Sequence, residues 1–460
     1  MSLINITLSK IIRGRDHFLL YIILFRLSLD FLYVFVLKDH SKSSELLSTG
    51  IFNFEINIAK YLLSWLVFLI FLVFLKRGIL LTRNKASEII ILGLYIMSFI
   101  PSISLFGLAN LDYEFLVYFT VFWALLLGVT FLFCNIKYKH TKKFTLKNSL
   151  LNSEKFKYIT WMSIVIVFCF GVILISWKYS GLRLNLTLDS VKIYELRGQA
   201  ELGTILDYFR NNAMYIVIPF AAIYCFQKRK RLLLFILIWI QLLLYGIDNQ
   251  KAALFILPVS ILGYVFYKKY FIGLIPKFLV LGNIIIFIEA MIGKSTFLIS
   301  TLLERIYYLP AILSNCYFEY FRDTSPVLPF VSLLEKMGLV TNYQYKTGVP
   351  YLIADKFLNN PNISANTGMF GSAFSYGILG VILIPIAYAY FLHLLDLATS
   401  NLEIKTFISV LIVLVYVITG ATIFVVLSVY GFILAIIMLY LVNNNSRFQI
   451  VKNTSHKRNL

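Results

Sequence analysis

Apolar runs recur along the whole chain, at 17–37, 59–75, 89–108, 114–135, 158–177, 209–226, 232–247, 252–267, 278–293, 368–394, 406–426 and 428–443. A helix needs about 20 apolar residues to cross a bilayer, with a range of about 17–25. No soluble core hides this many. AVILMFWYC residues make up 60% of the chain and charged residues 14%, against about 45–50% and about 25% in a typical globular domain. Disorder, collagen, coiled coil and a secreted disulfide scaffold are excluded on the same ground. Long runs suit helices, not the alternating short strands of a barrel. The expected fold is all-α: a polytopic membrane protein of about twelve spans, forming a single transmembrane domain over 1–460. The seventh to ninth runs are short, so tilting, breaks or extension into their flanks are expected. The first run, from His17, exceeds a signal-peptide core and precedes no small-residue cleavage site, which reads as a retained span.

The net charge of +20 resembles a nucleic-acid signal until its distribution is read. With the N-terminus in the cytoplasm, the cytoplasmic segments hold 26 of the 42 Lys and Arg but five of the 22 acidic residues. The outer segments are neutral. The excess is therefore positive-inside bias, and the basic loop 136–157 is a topology anchor that touches anionic lipid and needs no nucleic acid. Both termini then lie in the cytoplasm. Two outer loops are large, 178–208 and 294–367. The second carries short amphipathic patterns at Thr301–Phe321, with a kink at Pro310, and at Val331–Val340, then turn chemistry at Asn359-Asn360-Pro361-Asn362. Helices lying along the outer membrane face are expected there, with Tyr307, Tyr308, Tyr317 and Tyr320 at the interface.

Many chemistries lack their residues. Of the five histidines only His40 falls in an outer loop. No HExxH, GxSxG, P-loop or GxGxxG is placed to work, and no outer loop carries DxD, which argues against a zinc enzyme, a serine hydrolase or an ATPase. Cys134, Cys169, Cys225 and Cys316 show no paired spacing, so neither a disulfide framework nor a metal site is implied. The outer face does offer cations at apolar helix ends: Arg197, Lys251 and Arg305, with Arg183, Arg210 and Arg322 as weaker candidates. Arg binds phosphate bidentately and Lys as a point charge, so such groups suit a lipid-linked diphosphate. The plainer account has each pairing with a local carboxylate: Glu195 or Glu201 for Arg197, Asp248 for Lys251, Glu304 for Arg305. Within the membrane Arg26 and Asp30 share one helical face and read as a mutually neutralising pair. Glu289 either snorkels or lines a cavity. Gly368, Gly371, Ser372, Ser375 and Gly380 predict that run 368–394 packs centrally.

Four fragments, in order, resemble the Wzy oligosaccharide repeat-unit polymerases of bacterial surface polysaccharide synthesis, the O-antigen polymerase family. They are Val191–Gly198 (VKIYELRG) with Tyr208 and Pro219, Asp248–Leu254 (DNQKAAL) with Pro258, Glu304–Phe321 (ERIYYLPAILSNCYFEYF), and Asn366–Gly380 (NTGMFGSAFSYGILG). The resemblance covers roughly 185–395; the first 150 residues match in span pattern only. It implies a GT-C-like glycosyltransferase of the bacterial inner membrane, related in fold to O-antigen ligases, with its active site facing the periplasm. The growing glycan would move from undecaprenyl diphosphate to the terminal sugar of the next undecaprenyl-diphosphate-linked repeat unit. No metal, cofactor or nucleotide sugar is implied. Partners would be the donor and acceptor lipids, the bilayer and a chain-length regulator. On matching positions Arg197, Lys251 and Arg305 become the donor-diphosphate cradle, and Tyr308 and Asn366 line the same cavity. Tyr194 belongs to the substrate-binding set.

Two family features are absent. The Arg-x10-Gly motif of one branch fails, since Tyr208 and Cys316 stand eleven residues after Arg197 and Arg305. The outer-loop His of the related ligases has no counterpart. The general base is therefore open among Glu195, Asp248, Glu319 and the departing diphosphate. Alternative readings are an O-antigen ligase, a polysaccharide flippase or other transporter, and a membrane acyltransferase. A transporter would show repeat symmetry and short outer loops; an acyltransferase would need a catalytic His.

Overall fold

The computed structural model describes residues 18–40, 50–78, 85–135, 153–184, 202–267, 271–293, 295–327, 345 and 348–443. Among these residues every regular element is helical, as expected where backbone groups must satisfy one another within a segment. The helices are α1 Phe18–His40, α2 Ile58–Gly78, α3 Ala86–Leu108, α4 Tyr113–Asn135, α5 Glu154–Ser180 and α6 204–227. They continue with α7 Arg231–Asp248, α8 Lys251–Phe266, α9 Phe271–Ile292, α10 299–322, α11 Val349–Leu358, α12 Met369–Phe374, α13 Gly377–Ala398, α14 Ile408–Gly420, α15 Ile423–Ser428 and α16 Phe432–Val442. Among the described residues nine segments are long and apolar enough to cross a membrane: α1 to α5, α7, α9, α13 and the pair α15–α16. The α8 helix and Ile404–Gly420 are apolar but shorter. The α6 helix begins with a polar stretch, Thr204–Asn212, holding Asp207, Arg210, Asn211 and Asn212. Nine, not twelve, of the expected spans thus qualify on length and apolarity.

Four neighbouring pairs form the frame: α4 lies on α13, α2 on α3, α5 on α7 and α8 on α14. The central helix is α3, buried on nearly every side, while α9 packs at the edge through Asn283 and Phe287. Contacts sort the connections into two ends. One end joins Ser87 to Asp396, Lys85 to Cys134, Lys157 to the Tyr440 ring, and Lys405 to Tyr264. This basic end also carries 228–231. The other, the loop end, joins Tyr33 to Asn53, Lys60 to Leu111, Asp112 to Arg322, Ser314 to Thr367 and Val327 to Ser375.

The loop after α9 departs from the expected membrane-surface helices. Residues 311–318 of α10 are all buried, so the helix is plugged into the loop end rather than laid on it. Tyr307, Tyr308 and Tyr317 are packed in protein and only Tyr320 is partly open. Ile299–Tyr308 is π-helical over ten residues, where single-turn bulges are the usual form and often mark functional sites. Pro310 sits in the first turn of the α-helical half, where its missing N–H is tolerated. Residues 331–340 lie outside the described set. The turn at 359–362 is present: Asn359 takes φ +51° and the Asn362 N–H donates to Asn360 Oδ1 at 3.1 Å.

Run 368–394 is two helices, not one. Gly377, at φ +67°, breaks it after Tyr376, a conformation that a side chain disfavours. The small residues do pack centrally. A Cβ on Gly371 would lie 2.8 Å from Ser314 Cα and 2.7 Å from Thr367 Oγ1. Gly371→Ala is accordingly expected to destabilise by about 1–3 kcal/mol through overpacking. Thermal unfolding in detergent checks this; an unchanged midpoint refutes the close approach of α10 and α12.

Candidate functional site

A cavity of about 430 Å³ opens at the loop end between four separate segments, 50–53, 109–112, 312–319 and 356–359. Its polar lining comprises Asn53, Asn110, Asp112, Asn315, Glu319, Lys356 and Asn359; Phe357 and Ile312 supply apolar surface. On α10, Asn315 and Glu319 are one turn apart and share a face. Buried Asn315 donates through Nδ2 to Glu319 Oε1 at 2.7 Å, while the Glu319 side chain is exposed. One carboxylate oxygen is thus anchored by a fixed donor. Asn359 closes α11 in the left-handed region, a role suited to Asn.

The 109–112 wall is held from below. Lys60, on α2, is 8% exposed and donates through Nζ to Leu111 O at 2.7 Å and Asn110 O at 3.2 Å. The Tyr113 ring lies 4.9 Å from the same ammonium. Arg322 donates to Asp112 at 2.6 Å, and this bond holds its guanidinium above the ordinary arginine range. Burial pushes the Cys316 thiol well up, so the one sulfur bordering the cavity is not an activated nucleophile. Among the described residues no three His, Cys, Asp or Glu side chains converge as a metal-ligand set.

The predicted site residues scatter. Tyr194, Glu195 and Arg197 lie outside the described residues. Glu319 lines the cavity; Lys251, Arg305, Asp248, Tyr308 and Asn366 do not. Lys251 and Arg305 are exposed, at the start of α8 and on the π-helical stretch of α10. Their expected local partners turn elsewhere. Asp248 is buried against Arg210, which also meets Asp207 at 2.7 Å. Glu304 is buried with His40 Nε2 3.6 Å away. Tyr308 is fully buried and donates to Leu29 O at 2.9 Å, which removes it from any cavity lining. Asn366 is exposed beside Thr367, whose hydroxyl lies 2.9 Å from that of Ser314.

Within the bundle, Arg26 and Asp30 do meet, at 3.7 Å. Arg26 also donates to Ser64 O at 2.9 Å and lies 4.1 Å from the Trp65 ring. Glu289 caps the start of the loop helix, accepting from the N–H groups of Leu298 and Ile299 at 2.9 and 3.0 Å. It lines no part of the cavity.

Sequence reasoning missed Asn53, Asn110, Asp112, Asn315 and Lys356. Only the four-residue spacing of Asn315 and Glu319 carried a signal. A scan against models of protein families, a search of curated proteins and a search of solved structures each found no match, so the geometry of this cavity and the pattern of the sequence are what the functional reading stands on.

Proposed function

We propose that the chain polymerises the repeat units of a bacterial surface polysaccharide, as a metal-independent, lipid-diphosphate-dependent glycosyltransferase of the inner membrane. In this reading the chain crosses twelve times, both termini and the basic end face the cytoplasm, and the loop end faces the periplasm. Lys76, Arg77, Lys85, Lys155, Lys157, 228–231 and Lys405 at the ends of successive helices support that orientation. The observation that carries the function is the polar cavity with its anchored carboxylate, set into the loop end of the bundle.

In the reaction, an acceptor hydroxyl oxygen attacks the anomeric carbon of the donor's first sugar. The bond from that carbon to the diphosphate oxygen breaks, and its electron pair leaves with undecaprenyl diphosphate. Of the candidate bases, Asp248 is committed to Arg210 and Glu195 is outside the described residues. Glu319 borders the cavity with one oxygen unclaimed by Asn315, and it takes the hydroxyl proton. Arg305, exposed on the same helix, neutralises charge that grows on the leaving diphosphate.

Deleting the gene tests the class. Collapse of the polysaccharide ladder to core plus one unit supports a polymerase, whereas loss of all capped core points to a ligase or flippase. Arg305→Lys tests the cation. Lys lacks the planar fork, and losing a transition-state donor typically lowers rate by about 10²–10³. The long-chain ladder is expected to disappear at unchanged protein level. A normal ladder identifies Arg305 as a surface anchor.

A further inference from the structure

The geometry points to the cavity between 50–53, 109–112, 312–319 and 356–359 as a subsite for the acceptor glycan alone, reading a neutral, hydroxyl-rich ring and leaving the carrier diphosphate outside. This rests on the polymerase reading above. Three observations carry it: size, charge and hydrogen-bonding character.

At about 430 Å³ the cavity is near the small end of ligand pockets, which run from roughly 300 to 1,000 Å³. It suits a sugar or two and not a polyprenyl diphosphate. Its charges balance. Asp112 is satisfied by Arg322, leaving Glu319 and Lys356 as one negative and one positive group. A diphosphate needs an excess of cations, and the exposed Arg305 and Lys251 are not in the lining. The remaining polar side chains are amides. An asparagine both donates and accepts, as does a hydroxyl, so Asn53, Asn110 and Asn359 match alcohol groups without selecting for net charge.

The site is also preformed. Lys60 fixes the 109–112 wall through two backbone carbonyls, and Asn315 fixes the Glu319 carboxylate. A rigid wall lowers the ordering cost of binding. Beside it, Phe357 offers a flat apolar face for the C–H side of a sugar ring.

The test uses the full-length protein in nanodiscs. The probe is the oligosaccharide released by mild acid from the carrier-lipid pool of the strain lacking this gene. Saturation-transfer NMR from protein to oligosaccharide is expected for the wild type and is expected to persist in excess inorganic pyrophosphate. Asn53→Leu and Lys356→Leu alter two separate walls. Each is expected to weaken binding by about tenfold, the loss of one good hydrogen bond. No transfer to the wild type, displacement by pyrophosphate, or unchanged binding by both well-folded variants overturns the assignment. The ladder of the deletion strain judges the polymerase reading separately: a collapsed ladder with no transfer refutes the subsite and spares the polymerase.

Discussion

Glu319→Gln abolishes the long-chain ladder while the protein still accumulates in the membrane. The change is close to isosteric, and the Gln carbonyl oxygen keeps the bond from Asn315 Nδ2 that now runs at 2.7 Å. Packing should hold, because Glu319 is exposed at the cavity wall. What is lost is the capacity to take a proton from the attacking hydroxyl. A positioned general base contributes about 10²–10⁴ in rate, which is enough to stop growth after one or two additions. Asp248→Asn provides the contrast. That carboxylate is buried against Arg210, so its loss should lower protein level by leaving the buried arginine with only the more exposed Asp207 as counter-charge. The two variants thus separate chemistry from folding when polymer length and protein level are read from the same cells. A long-chain ladder in Glu319→Gln at wild-type protein level removes Glu319 as the base and leaves the departing diphosphate to accept the proton.

The sequence was most legible where a single physical property decides the outcome. Apolar runs mark the helices because a helix in lipid needs little beyond length and apolarity. The same property is blind to what an apolar face touches. Residues 311–318 of α10 resemble a membrane-surface segment, yet they are buried in protein. The reverse holds for α6, whose first nine residues are too polar for lipid and are accommodated by protein contacts: Arg210 with Asp248, and Asn212 with the backbone of Ser428.

Charge pairing was least legible. Adjacent residues on a helix point in different directions, so Glu304 is no natural partner for Arg305 and meets His40 instead. Asp248 reaches Arg210 across 38 residues of sequence, and the weaker candidate proved the more enclosed. Arg26 and Asp30 were readable because four residues is one helical turn. The cavity was not readable, since its walls come from four segments spread over some 300 residues, and no local spacing reports such an assembly.

The second large effect is on stability. Arg26 has no exposed surface; it faces Asp30, donates to Ser64 and lies over Trp65 and Phe68. Asp30 in turn accepts from the Tyr61 hydroxyl at 2.9 Å. Removing one member of a buried ion pair strands the other and typically costs about 3–5 kcal/mol. Arg26→Met retains much of the side chain's length, so the cost in that variant is electrostatic more than steric. A large drop in unfolding midpoint and in membrane accumulation is expected. Adding Asp30→Asn removes the stranded charge while keeping an acceptor for Tyr61, and it should restore most of the loss. The double variant is therefore expected to be more stable than Arg26→Met alone, a coupling that independent sites do not show. Thermal unfolding of all three variants beside the wild type measures it. Additive losses would mean that Arg26 is held by Ser64 and Trp65, and that its attraction to Asp30, at 3.7 Å, contributes little to the bundle.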